Sequence, residues 1–188
     1  MDRVSCIVCS RDVRWGRLSC MVDSVGGDMT NTTGEITDLL DQLKLPQRER
    51  REEAMSRLAD AGPAGFAVVR EGLSHPHWRV RRNCCRFLDH HFDPNATDAL
   101  IRCLTDRNRK VRRQALHALS CDACKPGEGP EGRDIVGSMI ERLHHDPSVR
   151  VRRFASISLL QLKDEHRVRE ALRRALSDPD PIVRRNAG

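Results

Sequence analysis

Apolar residues recur along this chain at the spacing of one helix face, and that face is written several times over. In DRNRKVRRQALHAL, from Asp106, the positions Val111, Ala115, Ala118 and Leu119 stand on one side of a helical wheel; in DPSVRVRRFASISL, from Asp146, Val151, Ala155, Leu159 and Leu162 do the same. The spacing predicts one amphipathic helix in each stretch. Related stretches read HPHWRVRRNCCRFL from His75 and DPDPIVRRNAG from Asp178. Their Val-Arg-Arg triplets begin at Val80, Val111, Val151 and Val183, in steps of 31, 40 and 32 residues. Such a period belongs to a stacked array in which each unit covers an apolar face of its neighbour.

A second apolar segment precedes each triplet, from Phe66 to Leu73, Ala99 to Leu104, Ile135 to Leu143 and Val168 to Leu176. Each repeat is therefore expected to be a hairpin of two helices joined by a short polar turn. Pro147 and Pro179 suit the first helical position, with Asp146 and Asp178 as caps of the second helix, and Asp106 as a cap without the proline. An earlier hairpin fits Thr33 to Leu43 and Pro46 to Leu58, with Arg-Glu-Arg-Arg-Glu-Glu in place of the Val-Arg pair. An atypical unit of this kind suits the end of an array, where one face meets water. The last unit stops at Ala187-Gly188, about two turns into its second helix, and reads as truncated.

The order Asp-Pro, Val-Arg, Ala, Leu resembles the HEAT repeats, and most closely the compact bacterial type found in phycobilin lyases, over roughly residues 34 to 188. The resemblance implies an all-α fold, a right-handed α-solenoid of about five HEAT-like hairpins. It also implies a ladder between the turn aspartate and the arginine after the valine. The matching pairs are Asp106 with Arg112, Asp146 with Arg152 and Asp178 with Arg184, and a weakened rung is expected at Arg81, where His75 replaces the aspartate. Residues 33–188 form the expected repeat domain. Residues 1–32 show no repeat and read as a disordered or non-native extension, with Met29 before Thr-Asn-Thr-Thr as the expected true start. No apolar run in that region is long enough for a signal peptide or a membrane span.

Charge then changes the picture. Lys and Arg number 33 against 27 Asp and Glu, a formal charge of +6. At 100° per residue, with Val and Ala facing the core, the outward positions collect Arg79, Arg82 and Arg86, then Lys110 and Arg113, then Arg150 and Arg153, then Arg185. In the related HEAT proteins the second helices line the concave surface, so these side chains are expected to form a basic stripe for a macromolecular partner. Arg82, Arg113 and Arg153 are its expected centre. A protein partner is expected. Nucleic acid is the alternative, with the HEAT-like alkylpurine DNA glycosylases as the family precedent, but Trp78 and Phe154 are the only aromatic residues near the arginines for bases to stack on. A bilin lyase-like subunit is the other alternative that the resemblance implies. The chain is expected to be a non-catalytic scaffold, cytoplasmic and monomeric, with no membrane contact.

The remaining chemistry is concentrated in cysteine and histidine. Eight cysteines without an export signal read as reduced thiols, with Cys84, Cys85 and Cys103 in or near the core. The long repeat step contains a Gly- and Pro-rich insertion over 121–132 that opens with Cys121-x-x-Cys124. Equivalent positions of adjacent repeats are neighbours, so His90 and His91 are expected to approach Cys121 and Cys124, making zinc the one candidate cofactor. Cys6-x-x-Cys9 has the same spacing but no second ligand pair. A redox role is disfavoured, because Cys121 follows a helix end whose dipole opposes a thiolate. Gly127-x-Gly129-x-x-Gly132 mimics a dinucleotide loop but follows no strand and carries Glu128 and Glu131. His75, His77, His144 and His145 fall at turns and read as solvated, and no residue is marked for catalysis.

Overall fold

The computed structural model describes residues 33–121 and 134–188, and within them every regular element is helical. Ten α-helices follow in order: α1 (Thr33–Gln42), α2 (Arg48–Asp60), α3 (Gly62–Gly72), α4 (Trp78–His90), α5 (Thr97–Cys103), α6 (Arg109–Ser120), α7 (Ile135–His145), α8 (Val149–Leu160), α9 (His166–Ala175) and α10 (Pro181–Ala187), with a 3-10 turn at Pro94–Ala96 ahead of α5. They pair as five hairpins. Along the array α4 packs on α6, α6 on α8 and α8 on α10, which makes the second helices one continuous layer.

The repeated valine explains the stacking. Val80, Val111, Val151 and Val183 are all fully buried, as are Cys84, Ala115 and Ala155 one helical turn further on. Small residues at that turn let neighbouring helices approach within the usual 8–10 Å. One expected member departs: Leu162 lies beyond the end of α8 and is exposed, because the helix stops at Leu160 and the chain turns toward α9. In the first layer, a Cβ on Gly65 would stand 1.9 Å from the Leu58 carbonyl oxygen, so α2 and α3 meet backbone to backbone. Gly62, at φ +56°, makes the abrupt join between them in a conformation that favours glycine.

The expected capping is corrected by two residues. The helix caps are Asn108, Ser148 and Asp180, two residues after the expected aspartates, with His77 in the same place in its repeat, and Pro181 rather than Pro179 takes the first helical place. Asp106, Asp146 and Asp178 instead accept from the amides of Asn108, Ser148 and Asp180 at 2.7, 2.8 and 2.8 Å, closing Asx turns that precede the helices. His75 does the same job with Nδ1, which accepts from the His77 amide at 3.0 Å.

The ladder is also corrected, because it runs between repeats rather than within them. Arg81 donates twice to Asp106 (2.6 and 3.0 Å), Arg112 twice to Asp146 (2.7 and 2.7 Å), and Arg152 twice to Asp178 (2.9 and 3.1 Å). Within its own repeat each arginine reaches the turn through a backbone carbonyl: His75 for Arg81, Asp106 for Arg112, Asp146 for Arg152 and Asp178 for Arg184. The rung at Arg81 is therefore intact, since its carboxylate comes from the following unit. Arg51 repeats the own-turn half on Leu45 and Pro46 (2.8 and 2.7 Å), so the first hairpin carries the motif although its sequence hides it.

Candidate functional site

The exposed side of the second-helix layer holds a cleft lined by Arg82, Arg109, Lys110, Arg113 and Arg150. Five cations meet there with no carboxylate in the lining. Residues one helical turn apart share a face, so Arg109 and Arg113 stand together on α6, while Arg82 comes from α4 and Arg150 from α8. Burial, then the neighbouring Arg86, Arg113 and Arg51, pushes the Arg82 guanidinium below its ordinary value. Burial, then Arg150 and Arg109, does the same to Arg113. Both shifts come first from burial, with the neighbouring positive charges adding to it.

The other stripe residues are differently engaged. Arg86 donates to Glu52 at 3.2 Å. Arg153 donates twice to Asp180, at 2.8 and 2.6 Å, and hydrogen bonding to that carboxylate raises its guanidinium above the ordinary value. Arg79 reaches the Lys44 carbonyl at 3.2 Å and lies 5.5 Å from the Trp78 ring centre, while Lys110 lies 4.9 Å from the same ring. Arg185 is exposed at the far end of the layer on α10. Arg82, Lys110, Arg113 and Arg150 thus converge, whereas Arg153 is bound into an ion pair. Arg109 was not singled out from the sequence; its spacing of four from Arg113 is the signal that marks it.

At the opposite end of the same helices, Cys121 is buried beside a pair that the sequence did not single out. Asp89 at the end of α4 and His117 in the last turn of α6 are joined by a 2.6 Å contact between Oδ2 and Nδ1. Ligand atoms of Asp89, His117 and Cys121 lie within 4.8 Å of one another. Of the expected partners, His90 stands beside the cluster, 4.0 Å from Asp89 Oδ2 and near enough to Cys121 to feel its charge, while His91 packs its ring against Phe87 and Phe66. Cys124, Cys6, Cys9 and the glycines of the insertion lie outside the described residues. Cys84 and Cys85 are buried as expected, and burial pushes the Cys84 thiol up, away from reactivity.

A family model described as HEAT repeats matches residues 36–120 and 138–188. The chain belongs to the HEAT-repeat family. None of the curated proteins compared with it matches. Among solved structures, this HEAT-repeat chain resembles the complex of CpcE and CpcF of phycocyanin lyase from Nostoc sp. PCC7120, at 20% identity and a TM-score of 0.65 over 83% of this chain and 97% of that one. It also resembles a designed armadillo repeat protein in complex with the peptide (KR)4, at 14% identity and a TM-score of 0.53 over 82% of this chain and 79% of that one. These likenesses establish the solenoid fold. No helix among the described residues is long and apolar enough to cross a membrane.

Proposed function

We propose that this HEAT-repeat chain is a binding scaffold that holds an acidic segment of a partner protein across α4, α6 and α8. The observation that carries the reading is the cleft of five cations without a lining carboxylate. Such a concentration of one sign attracts and orients an oppositely charged ligand, and arginine forks match carboxylates bidentately. The designed armadillo repeat protein is seen with a basic peptide, (KR)4; the charge here calls for a peptide of the opposite sign. A protein is favoured over nucleic acid because no aromatic among the described residues lines the cleft for bases to stack on, and Trp78 next to it is already faced by Arg79 and Lys110. The scaffold is non-catalytic on this reading, since arginines remain protonated and supply neither base nor nucleophile.

The test is fluorescence anisotropy of a labelled Asp/Glu-rich peptide and of duplex DNA, each titrated with the chain at low and near-physiological salt, beside the variant Arg82→Glu, Arg113→Glu, Arg150→Glu. Peptide binding that weakens with salt and falls at least about tenfold in the variant, the loss expected when several charge contacts are reversed, supports the reading. DNA binding that is tighter than the peptide at near-physiological salt would move the cleft to nucleic acid, and no binding of either would end the proposal.

A further inference from the structure

The cluster at the far end of α4 and α6 is independent of the cationic cleft, and its composition is unusual for a packed interior. Asp89, His117 and Cys121 are 1%, 4% and 7% exposed. Buried carboxylates need partners on both oxygens, because an uncompensated charge away from water is costly. Oδ2 of Asp89 has His117, but Oδ1 is buried and, among the described residues, has no hydrogen-bond partner. An oxygen, an imidazole nitrogen and a thiol sulfur, three different donors, converge within 4.8 Å of one another in the packed interior.

We infer that Asp89, His117 and Cys121 form a binding site for a borderline divalent cation such as Zn(II), clamped between the ends of α4 and α6. Carboxylate, imidazole and thiolate are the protein ligands that zinc takes, at about 2.0–2.3 Å. Donor atoms within 4.8 Å of one another need only a small contraction around the ion at the sulfur. The ion takes the place of the proton shared by Asp89 and His117, and that 2.6 Å pair opens by less than about 1 Å. Nδ1 of His117 must be free of its hydrogen to bind the ion, and the Cys121 thiol proton leaves to solvent, so binding tightens as pH rises. The ion also gives the buried carboxylate the counter-charge that Oδ1 lacks.

The experiment uses the full chain, stripped with chelator under reducing conditions and titrated with Co(II) as a spectroscopic stand-in, with Zn(II) as competitor. One equivalent should produce a thiolate-to-cobalt charge-transfer band that Zn(II) erases. Cys121→Ser should remove the band. Asp89→Asn, which keeps size and helix, and His117→Gln should each weaken Co(II) binding on the order of 10- to 100-fold, the range that loss of even outer ligand partners causes, with helical circular dichroism retained. If His117→Gln does not fold, Asp89→Asn decides. Absence of Co(II) and Zn(II) binding, or binding unchanged in Asp89→Asn, overturns the site and assigns any bound metal to other thiols.

Discussion

A single arginine per repeat ties together three pieces of chain. Arg112 donates to the Asp106 carbonyl of its own turn and, with both remaining edges of its fork, to the carboxylate of Asp146 in the next unit. Both partners of that ion pair are buried. Removing one partner of a buried pair strands the other, at a cost of about 3–5 kcal/mol. Arg184 has the same place in its repeat but is exposed, bonding only its own turn among the described residues. Arg112→Met should therefore lower stability in urea unfolding by about that amount, and Arg184→Met by less than about 1 kcal/mol; equal losses would contradict the account. The six-residue spacing was legible because the arginine does reach its own turn. The carboxylate partner was not, because the Asx turn already engages the aspartate locally and only stacking shows which guanidinium faces it.

Helices were legible wherever an apolar stripe recurs, as in α6 and α8, and their starts were misplaced by two residues. Asp-Pro is a strong start signal, but here Pro147 and Pro179 sit inside the turn, and the true caps Ser148 and Asp180 follow them. The join of α2 to α3 was read as a wider gap, since nothing local reports that Gly65 lies against the Leu58 carbonyl. Gly65→Ala would force those helices apart. Its loss should exceed the roughly 1–3 kcal/mol usual for overpacking, because the obstructing atom is backbone and cannot rotate away. Gly137→Ala meets only the side chain of exposed Asp134 and should be tolerated, giving a thermal melt near that of the parent.

Across the whole molecule, titration ties stability to pH in two windows. Burial lowers His90, His91 and His144 below the ordinary histidine value of 6.5, so the unfolded chain gains protons first and stability falls as pH drops through that value. Burial raises Asp106 and Asp178, but the hydrogen bonds from Arg81 and Arg152 and from turn amides outweigh it, leaving both below 3.8; Asp180 is lowered chiefly by Arg153. The stability these carboxylates supply is complete above that value and drains below it. Melting temperature followed from pH 8 to pH 3 should fall in two steps, and a flat profile down to pH 4 would remove the histidine part. By itself the sequence determined the repeat, its helical hairpins, the buried valines and the outward arginines, because each follows from periods and steric preferences within about forty residues. Only the tertiary structure decided that the ladder joins one unit to the next, that Arg109 completes the cleft while Arg153 is bound to Asp180, and that Asp89 and His117 reach Cys121. Those outcomes depend on the register between helices far apart in the chain, which packing sets and local propensity does not.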